Sequence, residues 1–437
     1  RLVVRHRDDI IVVPSSHKVD GDDPACIRVD LTRLRRTVNP RAEWRQMFDE
    51  NGRLMASHYW REDMNGVDWD GVLNRYRPLV DLCHVVDDLH DILWETVAEL
   101  NTSHSYVSAS GAAGDSDMRA GLLGADVSSG DDGARVVRVI PGESSDPRAW
   151  SPLRAAGVAV TEGDVIVAVD GRKVGADGNL GELLEGSAGR VVELTVRRGE
   201  NERQVAVVPM ADEAPLRYHD WVASRRRYVE EHSGGRLGYL HVPDMVSDGW
   251  AELHRQIGEA TRHEGVIADV RFNHGGHTSQ LVVERLARRV VGWDYSRWYT
   301  TADTYPQNAV RGPIVMVTNQ WAGSDGDIVA AATQAMGYAK VIGERSWGGV
   351  VGIDGRFDLV DGTSVTQPRY AGWYGSYGWG VENHGVDPDI VVTVSPEDWE
   401  ADRDVQLDAA IAECLRQLDD KPAATAPELP GPAFDRC

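Results

Sequence analysis

Apolar positions follow three different patterns along the chain. Residues 40–106 carry them at helical spacing, which predicts a helical domain; its clearest stripe is Leu89, Ile92, Leu93, Thr96, Val97 and Leu100. Residues 121–212 hold short apolar runs separated by glycine turns, which predicts a small β domain. In residues 213–418, apolar runs of strand length alternate with amphipathic stretches, a pattern typical of a layered βαβ domain.

Three further segments have the composition of connectors. Residues 1–39 alternate short apolar runs with turn formers and predict strands and a connector. Residues 107–120 are small and polar and predict a linker. Residues 419–437 are rich in proline and alanine and predict a disordered tail. The chain is therefore predicted to be a multidomain α+β and α/β protein.

In the layered part, strands and helices can be placed individually. The predicted strands are Leu237–Val242, Val266–Val270, Ile314–Thr318 and Lys340–Ile342. The predicted helices are Trp250–Thr261, Ser279–Val290 and Gly326–Met336. Catalytic groups in such folds usually lie on the loops after the strands. We therefore expect the chemistry of the chain in those loops.

Charge and hydropathy narrow the class of protein. The 437 residues include 46 Lys+Arg and 69 Asp+Glu, a formal net charge of -23. This excess of carboxylates repels a phosphate backbone, so we expect no nucleic-acid partner and favour cationic or neutral substrates. No segment approaches the roughly 18 consecutive apolar residues of a membrane helix. Charges also interrupt the first residues, unlike a signal peptide, so we predict a cytoplasmic protein without a membrane partner.

Cysteine and lysine usage adds two expectations. Cys26, Cys83, Cys414 and Cys437 are widely scattered and lack the spacing of a zinc site, which predicts reduced thiols and no metal or cofactor. Lysine occurs only four times. This scarcity disfavours any site that depends on a buried lysine.

The β domain carries a recognisable signature. Glu162–Gly171 is a strand entered and left by glycine turns, and Gly121–Val127 is a glycine-rich loop leading into a strand. Both segments resemble those of PDZ domains. The resemblance implies that an extended peptide adds to the edge strand while backbone amides hold its terminal carboxylate. A PDZ-like fold can also serve only as a spacer, and the sequence leaves both roles open.

The strongest candidate for catalysis follows the strand Ile314–Thr318. A tight turn of small residues places Ser324 at the start of a helix, the arrangement of a nucleophile elbow. The backbone amide of Asp325 would then be an oxyanion donor. The alternative is that Ser-Asp-Gly-Asp simply caps the helix.

A second loop of similar build follows the strand Val266–Val270. Asn273–Gly276 ends in two glycines, which let the backbone approach a ligand closely. An amide of this loop would suit an oxyanion hole beside Ser324. The alternative is an ordinary βα turn, with His274 and His277 as surface residues.

Four motifs together carry a family resemblance. They are Thr102–His104, Asn273–Gly276, Ala322–Gly326 and Val381–Ile390. Their order and spacing are similar to those of the tricorn protease family, as is the order of a helical part, an inserted PDZ-like domain and an α/β part. The resemblance implies a catalytic domain with a crotonase-like or tail-protease-like layered fold.

Carried over motif by motif, the resemblance implies a serine peptidase. Ser324 would be the nucleophile and His104 the general base. Ser103 and Glu382 would orient and polarise that base. The amides of Gly276 and Asp325 would stabilise the oxyanion.

The resemblance also bears on substrates and assembly. It implies oligopeptide substrates, a hexameric assembly, and a preference for Arg or Lys at the cleavage position, for which Asp294 is the candidate. In this family, two β-propellers precede the region. Because the chain begins at Arg1 inside an apolar run, we expect it to be the later part of a longer protein, with residues 1–39 as a propeller remnant.

Two other functions compete with this interpretation. A tail-specific carboxy-terminal processing protease combines a PDZ domain with a related fold but uses a Ser/Lys dyad. Only Lys340 and Lys421 follow Ser324, one at the start of a strand and one in the tail, which argues against a dyad. The chain could also be a PDZ-containing peptide-binding scaffold without activity, although all four motifs are present.

Overall fold

The computed structural model describes residues 1–429 apart from 7, 8, 19, 21, 22, 36, 111–117, 176–178 and 299. The chain begins with a small antiparallel sheet of β1 (Leu2–His6), β2 (Asp9–Val13) and β3 (Ile27–Arg28). None of the helices in these ranges is long and apolar enough to cross a bilayer.

Three helices form the next part: α1 (Pro40–His58), α2 (Trp69–Val80) and α3 (Val86–Ala98). The Asn39 side chain accepts a hydrogen bond from the Ala42 amide and caps α1. The core of this part includes Leu359 and Val365 from the far end of the chain. The short strand β4 (Val107–Ser108) also pairs with β18 (Ser364–Val365). The residues after α3 are thereby fixed against the α/β part.

The PDZ-like part consists of β5 (Ala125–Gly130), β6 (Gly133–Val139), β7 (Val165–Val169), β8 (Arg172–Lys173), α4 (Leu180–Leu183), β9 (Val192–Arg198) and β10 (Asn201–Val207). Its strands form an antiparallel sheet with the order β10-β9-β7-β6-β5, and β8 pairs with β7. Strand β5 lies at one edge, as the PDZ resemblance predicts.

The elements of the α/β part are α5 (Ala214–His232), β11 (Leu237–His241), α6 (Ser247–Ala260), β12 (Gly265–Asp269), α7 (Ser279–Leu286), β13 (Gly292–Asp294), β14 (Asp303–Tyr305), β15 (Ile314–Thr318), α8 (Asp325–Met336), β16 (Ala339–Gly343), β17 (Gly352–Asp354), β18, β19 (Gln367–Tyr370), β20 (Ile390–Val391), α9 (Pro396–Glu400) and α10 (Val405–Asp420). Five of the strands form a parallel sheet with the order β11-β12-β15-β16-β20. Helices α6, α7 and α8 cover one face, and α5 and α10 cover the other.

The structure corrects several expectations. The predicted helix Ser279–Val290 ends at Leu286. The first residues of the predicted 107–120 linker form β4, and its residues 111–117 lie outside the described part. The predicted disordered tail is ordered through residue 429: α10 continues to Asp420, and the Ala424 amide donates to the Arg311 carbonyl (2.8 Å). Residues 430–437, with Cys437, lie outside the described residues.

Candidate active site

Ser324 lies at the turn between β15 and α8, with φ of 58° and ψ of -121°. Such a conformation at a non-glycine residue costs about 1–3 kcal/mol and is found at functional sites. Ser324 occupies the N-cap position of α8, but its side chain makes no capping hydrogen bond. The hydroxyl therefore does not serve the capping role that the sequence left open.

The glycine loop packs directly against this turn. A Cβ atom on Gly275 would lie 2.5 Å from Ser324 Cβ, and one on Gly276 would lie 2.2 Å from the Met245 carbonyl oxygen. Both glycines also have positive φ, 76° and 147°. The Gly323 amide donates to the Asn273 carbonyl (3.0 Å) and joins the two loops. Only glycine fits at these two positions, as close backbone approach requires.

Two amides near Ser324 are free to bind a ligand. Within the described ranges, the N–H groups of Gly276 and Asp325 have no hydrogen-bond acceptor. The Asp325 carboxylate accepts from the Ser279 amide (3.0 Å), capping α7, and burial raises the pKa of this carboxyl. The Asp325 side chain thus fixes α7 to α8 while its backbone amide stays available.

The second half of the site lies after α3. Ser103 Oγ is 2.9 Å from His104 Nδ1 and donates to Glu382 Oε2 (3.0 Å). The Ser103 amide donates to Glu382 Oε1 (2.7 Å). His104 has a φ of 61°, and its carbonyl accepts from the Thr366 hydroxyl. The structure therefore joins Glu382, Ser103 and His104 in one hydrogen-bonded line.

Glu382 is held from a third direction as well. Its Oε2 also accepts from the amides of Val350 (2.7 Å) and Val351 (3.0 Å). Each of its oxygens thus receives at least one backbone N–H, which fixes the position of the carboxylate beside Ser103. Burial lowers the pKa of His104, while the charge of Glu382 acts to raise it.

Trp347 connects the two halves. Its ring lies edge-on to the His104 imidazole, with centroids 5.4 Å apart. A Cβ on Gly323 would lie 2.7 Å from the Trp347 ring, and the Trp347 amide donates to Ala322 (2.9 Å). Ser324 Oγ and His104 Nε2 have no hydrogen-bond partner among the described residues. Trp347 therefore brings the two groups into one site without a direct hydrogen bond between them.

Asp327, in the first turn of α8, fixes the loop that carries Trp347. Its fully buried carboxylate accepts from the Ser346 hydroxyl and from the amides of Gly348 (2.8 Å) and Gly349 (3.3 Å). Burial raises the pKa of Asp327 to about 6, while these donors favour its ionised form. Neither Asp327 nor Trp347 is among the predicted site residues. An aspartate in the first turn of a helix is common, so the position of Asp327 gave no sign of this role.

Asp294 is not part of this cluster. It lies at the exposed end of β13, opposite Asp303 on β14. Among the contacts of the described residues, no hydrogen bond or ion pair joins it to Ser324 or His104. Within the described ranges, no group of His, Cys, Asp and Glu side chains could hold a metal ion.

Comparison with known proteins gives a consistent result for each part of the chain. A model of the tricorn protease C1 domain matches residues 40–98, one of the tricorn protease PDZ domain matches 121–212, and one of peptidase family S41 matches 236–392. The chain belongs to the tricorn protease family. The resemblance inferred from the four motifs is thereby confirmed.

Individual members of the tricorn family match most of the chain. Tricorn protease homolog 1 of Streptomyces coelicolor is 59% identical over 424 residues, covering 96% of this chain and 40% of the relative. The tricorn protease of Thermoplasma acidophilum is 38% identical over 377 residues, covering 86% and 35%. The chain therefore spans well under half the length of these relatives.

A solved structure matches as well. The crystal structure of the tricorn protease superposes with a TM-score of 0.85 at 36% identity, covering 90% of this chain and 38% of that one. The predicted fold class, a mixed α/β protein with a PDZ domain and a layered peptidase domain, is confirmed.

Proposed function

We propose that the chain hydrolyses peptide bonds in oligopeptides, with Ser324 as nucleophile and His104 as general base. The observation that supports this most is the hydrogen-bonded line Glu382–Ser103–His104. It lies next to the strained serine turn and the glycine loop, each of which presents one unpaired amide. The names of the relatives, which call them proteases, agree with it.

The proposed reaction follows from these positions. His104 Nε2 takes the hydroxyl proton as Ser324 Oγ attacks the scissile carbonyl carbon. The amides of Gly276 and Asp325 stabilise the oxyanion. His104 then gives the proton to the leaving amine, and a water molecule releases the acyl group by the same route. The lack of a direct bond between Ser324 and His104 is common in enzymes without substrate, because such contacts tighten on binding.

The electrostatics suit a general base. Burial lowers the pKa of His104, so the imidazole is neutral and able to accept a proton near neutral pH. Once the proton has arrived, Ser103 and the carboxylate of Glu382 stabilise the imidazolium. Removing the Glu382 carboxylate should therefore weaken the base in two ways. It lowers the pKa of His104, and it removes the acceptor that fixes the Ser103 hydroxyl.

The function is tested by digesting a mixed oligopeptide library and identifying the products by mass spectrometry. The chain should generate new peptide termini, and the same preparation after heat inactivation should not. An unchanged library would refute the proposal and favour the scaffold alternative.

Glu382→Gln should lower kcat/KM by about 100-fold. Both carboxylate oxygens accept from N–H groups, so the amide nitrogen of glutamine must face a donor wherever it lies. Because Glu382 acts to raise the pKa of His104, its neutralisation should also move the acid limb of the pH–rate profile to lower pH. The exposed Glu400→Gln is the control. Unchanged kcat/KM, or an acid limb moved to higher pH, would contradict this role.

Asp294 is proposed to favour Arg and Lys at the cleavage position. Since no described contact links Asp294 to Ser324, this proposal rests on the family resemblance. Asp294→Ser should reduce cleavage after basic residues more than tenfold relative to cleavage after apolar ones. The matched control is Asp303→Ser on the paired strand. Equal loss for all peptides would remove Asp294 from the binding pocket.

The hexameric assembly, the cytoplasmic location and the division into domains at the predicted bounds are also part of the proposal. Sedimentation velocity of the isolated chain tests the first of these. A monomer at micromolar concentration would show that this region alone does not assemble.

A further inference from the structure

The loop that resembles a PDZ carboxylate-binding loop already holds a carboxylate. The Gly124 amide donates to Glu213 Oε1 at 2.6 Å. The amide of Leu122, earlier in the loop, is paired with the Met210 carbonyl (2.8 Å). Glu213 is the N-cap residue of α5, 89 positions further along the chain. An internal side chain therefore occupies the position where a peptide terminus would bind.

Arg217 strengthens this contact and extends it to the edge strand. Its Nε donates to Glu213 Oε2 (2.7 Å), and its Nη1 to Asp126 on β5 (2.9 Å). Its Nη2 lies 3.5 Å from the Ala125 carbonyl oxygen. That carbonyl belongs to the strand on which an added peptide would pair. The first turn of α5 thus fills both the carboxylate position and the start of the peptide groove.

Packing holds the first turn of α5 closely against this loop. Gly124 has a φ of 63°, and a Cβ there would lie 2.8 Å from Ser151 and 2.9 Å from Leu216. Leu216, on the first turn of α5, is fully buried with Ile140 and Ala149. The Glu213 side chain itself is only 12% exposed. A peptide carboxylate could enter only if this turn of α5 moved away.

The remainder of α5 belongs to the catalytic core. Val222 and Val229 are buried against Leu237 and Tyr239 of β11. Displacing the first turn would therefore strain a helix that is anchored at its other end. Because Glu213 is tethered, its effective concentration at the loop is about millimolar or higher, and a free carboxylate of equal intrinsic affinity must exceed that concentration to displace it.

We propose that the carboxylate site of the PDZ-like unit is filled in cis by Glu213, with Arg217 covering the edge strand. The unit docks through this site onto the helix that leads into the catalytic sheet, and it does not receive peptide C-termini. Of the two roles that the sequence left open, this assigns the spacer role, and it is independent of the proposed catalysis.

Hydrogen exchange measured by mass spectrometry tests the contact directly. In the full chain, Glu213→Ala should speed exchange in the segment 119–127 by about 10- to 100-fold, as expected for loss of a hydrogen bond to a charged acceptor. Glu213→Gln keeps the shape of the side chain but removes its charge, so it should also speed exchange in this segment, by a smaller factor. The exposed Glu231→Ala, at the far end of α5, should change nothing in this segment.

Peptide binding tests the consequence. The Ser324→Ala variant is used so that cleavage cannot interfere. It is titrated with fluorescein-labelled random octapeptides that have free C-terminal carboxylates, and separately with the same peptides carrying C-terminal amides. The two sets should give the same anisotropy while Glu213 is present. Stronger binding of the free carboxylates with Glu213 intact, or unchanged exchange in Glu213→Ala, would overturn the proposal.

Discussion

Replacing Ser324 with alanine is expected to lower kcat/KM for oligopeptide hydrolysis by at least about 10⁴-fold. The proposed route has no second nucleophile, and the hydroxyl takes no part in capping α8, so its loss should act on chemistry and not on folding. The initial rate of cleavage of a peptide identified in the library digest is the measurement. The melting temperature of the variant should equal that of the parent chain.

A matched substitution guards against trivial causes. Ser129→Ala changes an exposed serine of β5 and should leave kcat/KM unchanged. If Ser324→Ala keeps activity within tenfold of the parent chain, another residue is the nucleophile. If both variants lose activity, the loss arises from the quality of the protein preparation and not from the removal of the Ser324 hydroxyl.

Replacing His104 with alanine is expected to cost nearly as much, about 10³- to 10⁴-fold in kcat/KM, because nucleophile and base act as one unit. Lys340→Ala should leave kcat/KM unchanged. The Lys340 amine is half-exposed and lies 3.5 Å from Asp389 Oδ1, whereas a lysine base must be desolvated and neutral. The pair of variants separates the Ser/His mechanism from the Ser/Lys dyad.

The opposite result has a clear meaning. An inactive Lys340→Ala beside an active His104→Ala would assign the chain to the dyad mechanism. Lys340→Ala also removes the ion pair with Asp389. If Lys340 has only this structural role, the substitution should lower the melting temperature without lowering kcat/KM.

The sequence predicted most strands of the parallel sheet because each is a short apolar run that ends at polar or turn-forming residues. Strand β15 spans the predicted residues Ile314–Thr318. Helix α10 was not predicted, although Leu407, Ala410, Ile411 and Cys414 recur at helical spacing. Helix α5 gave a weaker signal, because its buried positions, Leu216, Val222 and Val229, are six or seven residues apart among arginines.

The sequence predicts those parts of the candidate site whose geometry is set by a few neighbouring residues. The turn at Ser324 and the glycine loop each carry their geometry in a few adjacent residues. The hydrogen bonds between Ser103 and Glu382 join positions 279 residues apart, so this contact could be inferred only from the family resemblance. Trp347 and Asp327 act through contacts with distant loops, so no local pattern reveals what they position.

Ser324 is proposed to be an activated nucleophile beside His104. A fluorophosphonate probe, followed by digestion with trypsin and mass spectrometry, tests it most directly. We predict a single adduct on Ser324, formed much more slowly in His104→Ala and at the parent rate in Lys340→Ala. An adduct on a different residue, or equal labelling of Ser324→Ala, would contradict the account.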